Sequence, residues 1–242
     1  MSHAKPAVAR IHLALCSESG HCRRQRDVSS VHRFSGHLLA EVGRANMGRM
    51  VPTQLALSSA LQHLPEGFEY TEKVLSPDQE RTLIGTIEEL PFREFEFRGF
   101  LGKRRTVSFG WRYDFNVQEL QEAENIPGFL LPLRARVAEF AGLSAGRLQH
   151  ALVTEYRPGV AIGWHRDRPE FEDVIGISLG APCLFRFRRK IGTRWERASI
   201  QLQPRSAYLM RGSSRTDWQH SIPPVDKLRY SITFRSLRES KA

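Results

Sequence analysis

From Arg147 onward, apolar and polar residues alternate with a period of two, in short runs separated by turn residues. The runs cover 148–156, 160–165, 174–179, 183–190, 198–203, 206–211 and 228–236. Alternation of this kind marks strands with one buried face, and many short strands at such spacing predict a sandwich or barrel. Upstream the period changes. Ser76-Pro77-Asp78-Gln79 supplies an N-cap, a proline at the first helical position and a capping-box glutamine. Leu83, Ile84, Ile87 and Leu90 follow at helical spacing, and Pro91 stops the run. A second helix is expected over about 130–141, with Leu131, Val137 and Phe140 inward and Gly142 as its end. Residues 65–75 read as an extended entry. Residues 1–50 show no sustained period. They are expected to be a disordered basic leader or an artefact of start-site choice, since Met47 and Met50 are alternative initiators.

Composition narrows the class without naming it. The 242 residues are 40% hydrophobic and 26% charged, as in an ordinary globular protein. No apolar run reaches the length of a membrane span, so no membrane partner is expected, and a cytoplasmic monomer is the plain expectation. The net charge of +10 points to a polyanionic partner, but half of it lies in residues 1–50. Three cysteines, Cys16, Cys22 and Cys183, are too few and too odd in number for a disulfide framework. A zinc site built from Cys16, Cys22 and the nearby His21, His32 and His37 lacks the usual close cysteine pair, and a polar tail is the plainer reading.

The strand period gives one set of polar residues a shared direction. Residues i and i+2 of a strand face the same side. His165 and Asp167 therefore point together, as do Thr154 and Tyr156. In the last strand Arg229, Ser231, Thr233 and Arg235 share one face, while Tyr230, Ile232 and Phe234 share the apolar other. A doubly cationic face on a buried strand calls for an anion. Two histidines and one carboxylate on one side of a metal make the facial triad of non-haem ferrous oxygenases, which leaves open positions for co-substrates. His165, Asp167 and the distant His220 can supply that set. A keto acid with a distal carboxylate then needs a fixed cation, and a planar guanidinium answers it bidentately. Arg229 stands nine residues after His220. Any one of these features alone is a common accident; their order and shared face give them weight.

Residues from about 98 to 236 resemble the AlkB family of iron(II)- and 2-oxoglutarate-dependent dioxygenases. The passages are Thr154-Glu-Tyr156-Arg-Pro-Gly159, Trp164-His165-Arg-Asp167, Ile177-Ser-Leu-Gly180 followed by Phe185-Arg-Phe187, and Arg229-Tyr-Ser-Ile-Thr-Phe-Arg235. The resemblance implies an α+β fold: a double-stranded β-helix of the jelly-roll or cupin type, with two supporting helices on its N-terminal side. One domain is expected over 65–242, its core at about 147–236. His165, Asp167 and His220 are then the ligands of Fe(2+). Arg229 pairs with the distal carboxylate of 2-oxoglutarate, assisted by Tyr156, Thr154 and Ser231. Arg235 sits by the keto-acid end and the substrate as a catalytic residue. Dioxygen and 2-oxoglutarate are the co-substrates. The family often has Asn where Thr154 and Ser231 stand, and an acidic residue shortly after the metal aspartate, where Pro169 and Glu170 occur here.

The substrate side falls on residues 97–115, a basic and aromatic stretch ahead of the β core. Arg105, Phe109, Trp111 and Tyr113 are the candidates there, with Glu170 beyond the metal aspartate. Basic groups neutralise phosphates and aromatic rings stack an extruded base. An ordinary hairpin with core aromatics reads equally well from the same residues. Arg186, Arg188, Arg189 and Lys190, alternating with Phe185 and Phe187, make a further basic set on an outward strand face. The expected activity is oxidative demethylation of alkylated DNA or RNA. The alternatives are the same chemistry on a protein or small molecule, and a non-catalytic nucleic-acid-binding module.

Overall fold

The computed structural model describes residues 64–97, 100–114 and 118–239. The expectations for residues 1–50, including the zinc site, lie outside the described residues.

The chain enters on strand β1 (Phe68–Thr71) and helix α1 (Pro77–Glu88). The capping box forms as its residues predict: Gln79 N donates to Ser76 Oγ at 3.1 Å, and Ser76 N donates to Gln79 Oε1 at 2.9 Å. A hairpin follows, β2 (Arg93–Phe97) and β3 (Phe100–Phe109), then a smaller one, β4 (Trp111–Asp114) and β5 (Glu119–Glu122). Helix α2 (Leu131–Phe140) precedes the β core. The core strands are β6 (Leu148–Tyr156), β7 (Ile162–His165), β8 (Phe171–Gly180), β9 (Cys183–Ile191), β10 (Arg194–Leu202) and β11 (Ser206–Met210). A short helix α3 (Gly212–Thr216) leads to β12 (Gln219–Ile222) and β13 (Arg229–Leu237).

Two sheets carry the architecture. The large one runs β1-β11-β8-β13-β6-β3-β2, and the small one runs β10-β9-β12-β7. Each face of the large sheet meets its own apolar cluster. One face packs Val153, Ile175, Ile177, Leu209, Ile232 and Phe234 against Leu83, Ile87, Leu133 and Val137 of the helices. The other packs Val174, Tyr208 and Met210 against Phe185, Phe187, Leu202 and Ile222 of the small sheet. Two such facing sheets form the jelly-roll core. A fully buried Ile or Leu contributes about 1.5–3 kcal/mol relative to exposure, so both clusters are substantial.

Helix α1 is tied to the sheet by a charge as well as by its apolar face. Glu80 accepts from Gly180 N at 2.9 Å and from Arg205 Nη1 at 2.8 Å. Helix α2 departs from its expected facing. Leu131 is exposed, Phe140 is only half-buried, and Leu133 takes the inward position with Val137. The three-residue 3-10 turn that precedes α2 rotates its first residue outward. Strand β12 lies outside the period-two runs, because its four residues are too few to show a period. No helix of the described residues is long and apolar enough to cross a membrane.

Candidate active site

Strand β13 lies between β6 and β8, and the register aligns its inward residues with theirs. Arg229 faces Tyr156 and Gly180, Ser231 faces Thr154 and Ser178, and Arg235 faces His150 and Val174. All of these except Gly180 are buried. Opposite them, β7 and β12 pair so that His165 lies across from His220, with ring centroids 4.2 Å apart. The space between the sheets is therefore lined by arginines and hydroxyls on one side and imidazoles on the other.

His165 Nδ1 stands 2.9 Å from the Gly163 carbonyl. A carbonyl only accepts, so Nδ1 carries the proton and Nε2 keeps its lone pair. Burial lowers the pKa of His165 and takes that of His220 down to about 3, which keeps both rings neutral. Asp167 lies in the segment after β7. Its Oδ1 accepts from Arg235 Nε at 3.0 Å and Nη2 at 2.8 Å, and its Oδ2 is 3.6 Å from His220 Nε2. Burial opposes its ionisation, but Arg235, with the imidazoles and Arg215 behind it, holds the carboxyl well below the usual range. Arg235 Nη1 also donates to His150 Nδ1 at 3.2 Å, and burial together with Arg235 keeps His150 neutral.

Among the described residues no three His, Cys, Asp or Glu side chains are drawn together in ligating geometry. The donor chemistry nonetheless fits a ferrous ion. Two neutral imidazoles and one carboxylate meet, and Asp167 has one oxygen that Arg235 does not engage. Arg235 fixes that carboxylate through its other oxygen.

Arg229 is 1% exposed. Its Nε donates to Ser178 Oγ at 3.2 Å, its guanidinium lies 4.9 Å from the Tyr156 ring centroid, and its Nη1 is buried without a partner. No carboxylate of the described residues pairs with it. A buried, uncompensated guanidinium is costly, and an anionic ligand removes that cost. Tyr208 is brought nearby because its partner across the ladder is Gly176, where a Cβ would come within 2.2 Å of the Tyr208 ring. Burial pushes the Tyr208 phenol up, so it remains a donor.

The substrate candidates separate. Arg105 is turned to the helix side of the large sheet. It makes a bidentate ion pair with Glu155, at 2.9 and 2.6 Å, and lies 5.5 Å from the Phe92 ring centroid. Phe109 is buried in the helix-side core rather than in a lid. Both results follow from strand parity: Glu155 and Ala151, their register partners, point away from Tyr156 and Thr154. The neighbour Arg104 takes the inward direction. It is half-buried, burial lowers its pKa, and it interacts electrostatically with Tyr156, Arg235 and Asp167. Trp111 is half-buried on β4. Tyr113 and Glu170 are bridged by Arg168, which donates to the Tyr113 hydroxyl, lies 3.8 Å from that ring's centroid, and bonds Glu170 Oε1 at 3.2 Å.

Sequence reasoning missed His150, Ser178, Tyr208 and Arg168, and it named Arg104 only as part of the basic run Lys103-Arg104-Arg105. His150 was legible: it is two steps of parity from Thr154, on the same strand. Ser178 and Tyr208 emerge only from the register between β8, β11 and β13.

Comparisons with known proteins agree with this geometry. The family model described as the 2OG-Fe(II) oxygenase superfamily matches residues 67–235. An "Alkylated DNA repair protein ALKBH8 homolog" of Arabidopsis thaliana is 30% identical over 164 residues, 57% of this chain and 47% of that protein. The mouse "tRNA (carboxymethyluridine(34)-5-O)-methyltransferase ALKBH8" is 28% identical over 173 residues, 68% of this chain and 25% of that one. The "tRNA demethylase abh1" of Schizosaccharomyces pombe is 30% identical over 134 residues, 51% and 42% of the two chains. This chain thus spans about half, or a quarter, of the length of the first two relatives. The solved structure of OsALKBH1 shares the fold, with a TM-score of 0.58 at 17% identity over 72% of this chain and 99% of that one. The chain belongs to the 2OG-Fe(II) oxygenase superfamily, as an AlkB-like member of a family whose enzymes use ferrous iron and 2-oxoglutarate.

Proposed function

We propose that this chain is an iron(II)- and 2-oxoglutarate-dependent dioxygenase that oxidatively dealkylates nucleic acid. The observation that carries this reading is Arg229, a buried guanidinium with an unpartnered nitrogen, on the strand that faces two imidazoles and a carboxylate. In this reading His165, His220 and the Oδ2 of Asp167 hold the iron. Arg229 binds the distal carboxylate of 2-oxoglutarate, and Tyr156, Thr154, Ser178, Ser231 and Tyr208 surround it with hydroxyl donors. Arg235 keeps Asp167 ionised and fixes which of its oxygens is free. Iron bound with 2-oxoglutarate and dioxygen would supply the oxidation of a carbon attached to nitrogen. The apolar cluster between the sheets, Phe185, Phe187 and Val174 among it, keeps water from the reacting space.

Nucleic acid as substrate is supported by the relatives' names, a tRNA demethylase and an alkylated-DNA repair protein. Arg104, Trp111, Tyr113 and Glu170, on the segments flanking the site, are the residues proposed to meet it. Anaerobic titration with ferrous iron and 2-oxoglutarate tests the site, followed by formaldehyde release from methylated single-stranded DNA and RNA. His165→Ala is expected to abolish 2-oxoglutarate decarboxylation. Absence of iron and 2-oxoglutarate binding in the wild type would remove the enzyme reading. Release from methylated peptides but not oligonucleotides would remove the nucleic acid.

A further inference from the structure

The small sheet has a back. His165 and His220 point inward from β7 and β12, so the alternate residues of these strands point out. Across the four strands, all of them described, a single carboxylate occurs, Glu196, against six cations: Arg186, Arg188, Arg189, Lys190, Arg194 and Arg197. Glu196 pairs with Arg189 at 2.6 Å, on the same parity as inward-facing Phe187 and Ala198. The outward positions of β9 and β10 therefore carry Arg186, Arg188, Lys190 and Arg197, and no acid takes an outward position on the four strands.

These charges are set among tryptophans. The Arg188 guanidinium lies between two indoles, 4.4 Å from the Trp164 ring centroid and 4.5 Å from that of Trp195. Arg186 lies 5.0 Å from Trp164. The hydrogen bonds on this face go to neutral groups: Arg186 Nε donates to Ser221 Oγ at 3.1 Å and Arg188 Nε to Gln219 Oε1 at 2.7 Å. They fix the guanidinium planes without cancelling their charge. Trp195 is 40% exposed, and Lys190 and Arg197 are exposed.

Arg188 and Arg197 are direct partners in the β9–β10 register. Like charges directly opposite across a ladder are destabilising. The same two strands place Glu196 against Arg189 on the other face, where Arg194 is the one further cation, so most of the imbalance lies on the outward face. Four cations interleaved with stacked indoles match a polyanion that also offers flat rings. Phosphates meet the cations and bases meet the indoles. An acidic peptide would answer the charge but offers no flat ring to the exposed indole of Trp195.

We propose that the outward face of the small sheet, centred on Trp164, Arg188 and Trp195, is a second binding surface for single-stranded nucleic acid. It engages the strand at a distance from the base being oxidised. Strand β7 is the edge of this sheet and bears His165 on one side and Trp164 on the other. A strand with one base between the sheets can therefore continue over that edge onto the back. This inference rests on the nucleic-acid reading above.

The test is fluorescence anisotropy with an unmodified single-stranded RNA of about 16 nucleotides, over a series of salt concentrations. The Lys190→Glu/Arg197→Glu double variant is expected to bind about tenfold more weakly, with a salt slope smaller by about 1.4. Trp195→Ala is expected to bind up to about tenfold more weakly with its salt slope kept. Anaerobic iron and 2-oxoglutarate binding, unchanged in each variant, reports that the jelly roll is intact. If the reversed charges unfold it, Lys190→Gln/Arg197→Gln replaces them, with the same direction expected. Affinity and slope equal to wild type in all variants would overturn the proposal. So would wild-type protein that binds poly-glutamate as tightly as RNA. Decarboxylation of 2-oxoglutarate reads the inner site and anisotropy reads the outer face, so each reading can fail without the other.

Discussion

Arg235 directs two nitrogens, Nε and Nη2, at the same oxygen of Asp167, and leaves the other oxygen toward His220. The pair thus selects one carboxylate atom for the space between the imidazoles. His150 closes the arrangement from behind by accepting from the third guanidinium nitrogen.

Loss of that selection should appear first in metal binding. Arg235→Ala is expected to weaken ferrous iron by about 10- to 100-fold, the usual effect of removing an outer-shell partner. Arg235→Lys should recover little, since one ammonium cannot reproduce the fork. Anaerobic iron titration checks this, and wild-type affinity in Arg235→Ala would detach Arg235 from the metal carboxylate.

Arg229 makes a prediction with two signs. Removing a buried cation that lacks an anion does not weaken the ligand-free fold, because its desolvation is relieved. Arg229→Met should therefore melt at or above the wild-type temperature without ligand. Added 2-oxoglutarate should raise the wild-type midpoint and leave the variant unmoved. A ligand-dependent shift in Arg229→Met would place the distal carboxylate elsewhere.

Neighbouring arginines on β3 should behave oppositely. Arg105→Ala leaves Glu155 buried, with Arg157 as its remaining partner at 2.9 Å. Because Arg105 is partly exposed and Arg157 remains, the loss should be about 1–2 kcal/mol of stability, with KM for an oligonucleotide unchanged. Arg104→Ala should raise that KM and lower stability less. Denaturant midpoints and steady-state kinetics on both variants decide it; equal effects on KM would show that strand parity does not govern substrate contact.

The metal-free protein should weaken in mild acid. His150 and His220 are buried, and burial sets their pKa values below the 6.5 of a free imidazole, His220 at about 3. Below pH 6.5 the unfolded chain takes up protons that the folded chain refuses. Stability is therefore full above that pH and falls as pH drops, by about 1.4 kcal/mol per unit for each such histidine. Asp167 and Glu155 have lowered pKa values too, so the loss should steepen once unfolded carboxylates begin to protonate near pH 4. Urea unfolding at several pH values measures the slope, and a flat profile from pH 7 to 5 would mean that these imidazoles are charged in the fold.

How far the chain could be read in advance depended on whether a feature was local. The capping box at Ser76, the shared face of Arg229 and Arg235, and the pairing of His165 with Asp167 in direction are matters of spacing within one element. They needed no neighbour. The side on which Arg105 falls depends on pairing with Glu155 fifty residues away, and the basic run alone did not say which of Arg104 and Arg105 turns inward. Tyr208 and Ser178 join Arg229 only through strand order, which periodicity does not encode. Strand β12 escaped because its four residues are too few to show a period, and it borrows its regularity from β7 and β9.

Strand β13 separates two interiors that share no side chain. Tyr230, Ile232 and Phe234 belong to the helix-side cluster, while Arg229, Ser231 and Arg235 line the opposite space. Damage to this strand should consequently fall into two alternating kinds. Substitutions at even positions remove the protein from the cell by unfolding it. Those at odd positions leave a well-folded, abundant and silent enzyme. A population of random variants scored once for abundance and once for turnover would trace residues 229–235 as two combs, offset by a single tooth.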